Sequence, residues 1–289
     1  MKYLQITFQI TPDSEIARDI LTSLASEAGC ESFTEEGGSW VGYAQEKLFQ
    51  DEMLKAYCEN FPIPDTKIAY TIKEAENRNW NEEWEQNGFS PIIIDDRCII
   101  CSSKEENPFE LLTENTIKEP LVVRIDPRQA FGSGTHETTQ MIVSQLFDED
   151  LRAKSVLDCG CGTGILGIVA AKLGAATVCA YDIDEWSVRN TEDNAKLNGV
   201  EIQVLEGDKH ITSNFDGQFD LVIANINRNI LLNDIETFRV KLKQDGKLIL
   251  SGFYTEDAAI LEQKASTLGL HLCQQRENHN WCCLIFRLS

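Results

Sequence analysis

Positive charge is what this chain has least of. Its 289 residues carry 26 Lys and Arg against 47 Asp and Glu, a formal net charge of −21. Nucleic-acid affinity comes largely from basic side chains that displace counterions, so no direct nucleic-acid ligand is expected. Long apolar runs are missing as well. None approaches the roughly 18 residues that a membrane-spanning helix needs, and no membrane partner is expected. The opening residues alternate in polarity and meet Thr11-Pro12-Asp13 with no small-residue cleavage site. No export signal is read there, and a cytoplasmic location follows as the expectation. Proline is sparse, and the 18 glycines keep no G-X-Y period, which excludes a fibrous chain. The four histidines, at 136, 210, 271 and 279, are scattered.

Ten cysteines are present. Without an export signal they read as reduced thiols rather than disulfides. Cys98-Ile99-Ile100-Cys101 is the one C-x-x-C. It lies in a strand-like run, where positions i and i+3 face opposite sides. No metal site is expected.

The length fits about two domains, and 42% hydrophobic residues supply a substantial core. The acidity is uneven: residues 1–90 hold 7 basic and 17 acidic side chains, a balance of −10. Such a surface attracts basic partners. Residues 1–75 read as strand, helix, two strands, helix, strand, the ferredoxin-like split motif. Its first helix, 13–28, starts at an Asp13 cap and stops at Gly29. Residues 76–89 read as a linker helix with Trp80 and Trp84 on one face. From 90 to 289 strands and helices alternate. Strands are read at 155–158, 177–182, 201–205, 219–224 and 247–251, and helices at 165–173, 185–197, 230–242 and 258–268. Two final strands, 270–275 and 282–286, have only a turn between them. The fold class is therefore α/β: a seven-stranded, doubly wound Rossmann-like sheet with a late antiparallel strand, preceded by a small α+β domain.

The chemistry-bearing segment is Val156-Leu157-Asp158-Cys159-Gly160-Cys161-Gly162-Thr163-Gly164-Ile165-Leu166. An apolar strand ends in a carboxylate, enters a glycine loop and opens a helix. Gly160, Gly162 and Gly164 permit positive φ and close ligand approach, and the helix start offers free N–H groups. Asp182 ends the next strand, where a carboxylate grips ribose hydroxyls. A nucleoside-bearing cofactor is implied. The dinucleotide pattern G-x-G-x-x-G is formally present, but its first glycine follows the strand too late, and Asp158 beside the loop would oppose a pyrophosphate. A carboxylate there suits a cationic ammonium instead. S-adenosylmethionine has one, and no phosphate. It is the expected cofactor, with Asp158 binding the ammonium or accepting loop N–H bonds.

This segment resembles motif I of the class I S-adenosylmethionine methyltransferases. Residues 125–139, Ile125-Asp126-Pro127-Arg128-Gln129-Ala130-Phe131-Gly132-Ser133-Gly134-Thr135-His136-Glu137-Thr138-Thr139, resemble a block of the bacterial ribosomal-protein methyltransferases called PrmA, which modify large-subunit protein eleven. The Trp80-Asn81-Glu82-Glu83-Trp84 linker and Ala224-Asn225-Ile226 are similar to that family too. The resemblance implies that Thr139, Gly160, Asp182 and Asn225 contact the cofactor, that Phe131 and residues 132–134 cover it, and that Asp208 stands where related enzymes touch adenine. It implies a protein methyltransferase acting on lysine side chains or the N-terminal amine of that basic substrate. His136 is a candidate proton acceptor or a prop for the glycine-rich loop. Asn225 is followed by Ile226-Asn227-Arg228, without the Pro-Pro-aromatic clamp that braces a planar NH2. An aliphatic amine fits better than a nucleobase or glutamine. The competing readings are an RNA methyltransferase and a non-catalytic cofactor-binding module on the ribosome.

Overall fold

The computed structural model describes residues 3–36, 39–64, 66–74, 89–109, 120–126 and 132–289. The expected linker helix, with Trp80 and Trp84, and Phe131 lie outside them. The chain forms two compact units, Met1–Asn79 and Trp80–Ser289.

In the first unit the order is β1 (Tyr3–Thr11), α1 (Glu15–Glu27), β2 (Cys30–Glu36), β3 (Ser39–Gln45), α2 (Asp51–Glu59) and β4 (Lys67–Glu74). The strands lie β2-β3-β1-β4, every pair antiparallel. Alternate β1 residues Ile6 and Phe8 are buried with Leu21, Ala25 and Leu54 of the two helices, because strand side chains alternate faces. The cap of α1 is Ser14, whose hydroxyl accepts Ala17 N–H at 3.2 Å. Asp13, the residue expected there, instead receives Arg18 Nε–H at 2.9 Å. Two cap-forming residues stand side by side, and the basic side chain one turn on takes the carboxylate.

The second unit opens with a three-stranded sheet of β5 (Ile92–Ile94), β6 (Cys98–Ser102) and β7 (Leu121–Ile125). Cys98 and Cys101 are both buried in β6, and burial pushes the Cys98 thiol up to about 12, far from the thiolate that metals bind. Next come α3 (Glu137–Leu146), β8 (Ser155–Cys159), α4 (Ile165–Lys172), β9 (Thr177–Asp182), α5 (Glu185–Leu197), β10 (Gln203–Glu206), β11 (Phe219–Asn225), α6 (Arg228–Lys241), β12 (Leu242–Tyr254), α7 (Ala258–Thr267), β13 (Leu270–Asn278) and β14 (Trp281–Leu288).

The last seven strands form one sheet in the order β10-β9-β8-β11-β12-β14-β13. The first five are parallel, and β14 runs antiparallel to both its neighbours. Residue parity sorts the core. Val156, Leu221, Ile223 and Ile249 pack under α3 and α4, while Leu157, Val222, Ala224 and Leu250 pack under α6 and α7. Both faces are covered, so these parallel strands are continuous apolar runs. Strand β12 starts at Leu242, before the 247 expected. Asp245-Gly246 looks like a turn, yet the strand passes through it with Asp245 at φ 62° and a register shift opposite Phe219 and Leu221. Helix α3 and strand β7 were not anticipated. In α3 the β-branched Thr138, Thr139, Ile142 and Val143 lower helix propensity, and most of its residues are buried, which erases the amphipathic stripe.

Candidate functional site

In a doubly wound sheet the crevice forms past the carboxyl ends of the strands, where the chain reverses its direction of progress. Here β8 is that point: β9 and β10 lie on one side, β11 and β12 on the other. Asp158, the glycine loop, Asp182 and Asn225 all stand at this edge.

The loop from β8 to α4 has Gly160 at φ 73°, Gly162 at 54° and Gly164 at 80°, a conformation that side chains resist. Space forbids them too: a Cβ on Gly160 would stand 2.4 Å from Ile226 Cγ2, and one on Gly164 2.7 Å from Thr191 Cγ2. Gly160 and Cys161 N–H bind the carbonyl of Tyr181 at 2.9 and 3.1 Å, tying the loop to β9. Asp182 Oδ2 accepts Gly162 N–H at 3.0 Å, and Oδ1 accepts Asp184 N–H at 3.1 Å. An ionised carboxylate has about four acceptor positions, so with the backbone of Ile183 also contributing acceptor capacity still remains for hydroxyl donors. Burial raises the Asp182 carboxyl above its ordinary range, opposed by these backbone donors.

Asp158 is 1% exposed. Its Oδ2 accepts Gly167 N–H at 3.0 Å, while Oδ1 is buried without a partner. Burial pushes this carboxyl up to about 7. The consequence for stability has a definite sign. Below pH 4 the unfolded and folded chains are both protonated at this group. Between about pH 4 and 7 the unfolded chain ionises while the folded one holds its proton, so stability falls as pH rises. The loss attributable to Asp158 is on the order of 4 kcal/mol by neutral pH. Melting curves of the ligand-free protein from pH 4.5 to 8 should therefore show Asp158→Asn gaining on the wild type as pH rises. A constant difference between the two would refute the assignment.

Asn225 ends β11. Its Nδ2 donates to Thr139 Oγ1 of α3 at 3.4 Å, which leaves Oδ1 buried and unpartnered. Ile226, the next residue, is gripped on two sides. Its side chain fills the space against Gly160, and its backbone lies against Gly252, where a Cβ would meet Ile226 O at 2.6 Å.

His136 caps α3. Its Nδ1 accepts Thr138 N–H at 3.3 Å and lies 2.8 Å from Thr138 Oγ1. The ring stands edge-on to Trp281 with centroids 4.6 Å apart. These contacts fix His136 at the start of the helix that carries Thr139. Asp208 also acts as a cap: its Oδ1 accepts His210 N–H at 2.9 Å. The neighbouring Gly207 N–H reaches Asp182 O at 2.8 Å, so the turn is tied to the end of β9. Sequence reasoning passed over Thr191 and Asn194, which hold the Gly162 and Thr163 carbonyls of the glycine loop, and Thr163, whose hydroxyl donates to Gly132 O at 2.6 Å. The signal available was Asn190, Asn194 and Asn198, spaced four apart on one helical face.

A sheet of this order, with a glycine loop after its first strand and a carboxylate after its second, defines the α/β methyltransferase class. Within that class the chain belongs to a particular family. The model described as "Ribosomal protein L11 methyltransferase (PrmA)" matches residues 15–289, and the family expectation from residues 125–139 is borne out. The chain is 46% identical over 287 residues to the "Ribosomal protein L11 methyltransferase" of Phocaeicola vulgatus, covering 99% of each. It is 44% identical to the Bacteroides fragilis protein of the same description, over the whole of both. A crystal structure titled ribosomal protein L11 methylase, from Lactobacillus delbrueckii subsp. bulgaricus, superposes with a TM-score of 0.62 at 30% identity, covering 70% of this chain and 100% of that one.

Proposed function

We propose that this chain transfers methyl groups from S-adenosylmethionine to aliphatic amines, lysine side chains or an N-terminal amine, of ribosomal protein L11. The observation that carries the reading is the unpartnered Asn225 Oδ1, an acceptor without a donor at the end of β11. Burying such an oxygen unpaired costs about 1–3 kcal/mol, and an N–H of the target amine removes that cost.

The residues present fit the donor. Gly160, Gly162 and Gly164 keep the loop free of side chains, Asp182 has acceptor positions left for ribose hydroxyls, and Asp158 Oδ1 awaits a donor. S-adenosylmethionine supplies a sulfonium-activated methyl group when bound. The protein's part is to present a neutral nitrogen with its lone pair correctly aimed. A lysine with a pKa of about 10.4 costs roughly 4–5 kcal/mol to deprotonate at pH 7, an N-terminal amine near 8 roughly 1–1.5 kcal/mol. Desolvation favours the neutral form. Asn225 Oδ1 then accepts one N–H and orients the lone pair, Thr139 keeps the amide turned, and solvent takes the proton. Holding nitrogen and carbon at about 3–3.5 Å provides most of the acceleration.

The small N-terminal domain, residues 1–75, is the part that meets the protein substrate, joined through the 76–89 segment to the methyltransferase domain. The balance of −10 over residues 1–90 suits a basic ribosomal protein, and the reaction belongs in the cytoplasm. No helix among the described residues is long and apolar enough to cross a membrane.

The test is incubation of the purified chain with methyl-labelled donor and unmethylated ribosomal protein L11. Label should appear on amines of the protein. The KM for the protein should rise with salt, since screening weakens exposed charge attraction, while the KM for the donor stays flat. Label on ribosomal RNA instead, or none on the protein, would sink the reading.

A further inference from the structure

Among the described residues strand β7 pairs with one strand, β6, along one edge. Its other edge carries backbone groups that need partners, and a helix supplies them. Asn198, just past α5, accepts Arg124 N–H at 2.9 Å and donates to Arg124 O at 2.6 Å. Asn194 accepts Asp126 N–H at 2.9 Å, and Asn190 donates to Asp126 O at 2.7 Å. The repeats agree: four helical residues rise about 6 Å, and two strand residues about 6.6 Å. A carboxamide offers the same donor and acceptor as a peptide group, so this asparagine column takes the place of a fourth strand.

The column also reaches the other way. Asn194 is fully buried, and its Nδ2 donates to Thr163 O at 3.0 Å. Thr191, one turn earlier and equally buried, donates from Oγ1 to Gly162 O at 2.9 Å. Two successive carbonyls of the glycine loop are thus held by α5, the helix that starts beside Asp182. A trans peptide is planar, with its N–H opposite its C=O. Pinning the Gly162 and Thr163 carbonyls therefore turns the Thr163 and Gly164 N–H groups to the side away from α5, where the Gly164 N–H closes the turn on Cys161 O at 2.8 Å. Asn198 touches no atom of this loop among its hydrogen bonds.

We propose that Asn194 and Thr191 are positioning residues of the donor site, setting the glycine loop for S-adenosylmethionine from behind, whereas Asn198 serves the sheet edge alone. The proposal rests on the reading that this loop holds that donor. It divides one column of like residues into two roles, which a purely structural column would not show.

The experiment measures the Kd of the demethylated donor, S-adenosylhomocysteine, by calorimetry, with the melting temperature of each variant. Asn194→Ala and Thr191→Val should weaken binding about tenfold or more, in line with the loss of one buried hydrogen bond. Asn198→Ala should bind within about twofold of wild type while its melting temperature still falls, having given up its bonds to Arg124. Thr191→Ser restores the hydroxyl and should restore affinity. Thr191→Val is nearly isosteric, so it tests the proposal even where Asn194→Ala does not fold. Wild-type affinity in Thr191→Val, or equal weakening in Asn198→Ala, would overturn the positioning role. Absence of binding by the wild type itself would overturn the donor reading, and the positioning role with it.

Discussion

Asp182→Ala is expected to weaken binding of S-adenosylmethionine about 100-fold, with turnover at saturating donor reduced far less. A hydrogen bond to a charged group is worth about 1.5–3 kcal/mol, or roughly 10- to 150-fold. Here the carboxylate has two tasks. It offers acceptor positions to ribose hydroxyls, and it holds Gly162 and Asp184 N–H at 3.0 and 3.1 Å. Alanine removes both, placing the effect in the upper part of that range. The pH dependence has a sign as well. Burial raises the Asp182 carboxyl, and the ionised form is the better acceptor. Donor affinity should therefore decline as pH falls through that raised pKa, earlier than for an ordinary carboxylate. Titration calorimetry between pH 8 and 5 measures both effects. Unchanged affinity in Asp182→Ala would remove this residue from the ribose site.

The sheet's central strands were legible for a reason. Strands buried on both faces must be apolar throughout, and Leu221-Val222-Ile223-Ala224 is such a run, with all four residues at 3% exposure or less. Glycines closed the helices at Gly174 and Gly199, both at positive φ. Helix α3 was illegible because burial on nearly all sides leaves no stripe and its β-branched residues argue for strand. The positions of Asp158 and Asp182 could be read from strand ends, but not their protonation. That depends on how little solvent reaches them, a property of the packed sheet rather than of the segment. The grip of Gly160 and Gly252 on Ile226 brings together the loops after β8 and β11 and a residue inside β12, which local pattern cannot show. The asparagine column was spelled out at four-residue spacing, yet its meaning needs β7, an element that sequence reading missed.

Asn225→Ala should do the opposite of Asp182→Ala: turnover falls about 100- to 1,000-fold while donor affinity changes by no more than about threefold. Groups aimed at the reacting atoms cost that much on removal, and misplacement by about 1 Å alone costs roughly 100-fold. Among the described residues the amide's hydrogen bond runs from Nδ2 to Thr139 Oγ1, 86 residues away in sequence. Thr139→Val should accordingly give an intermediate loss of turnover, since the amide remains but loses its restraint. Asn225→Asp separates alignment from charge. A carboxylate keeps the acceptor but stabilises the protonated amine, raising its pKa. The neutral fraction at a given pH drops, and the pH profile of turnover should move upward. Steady-state kinetics from pH 7 to 10, run on all three variants with ribosomal protein L11, measures these effects. A profile for Asn225→Asp that coincides with the wild type would mean that this side chain does not face the amine.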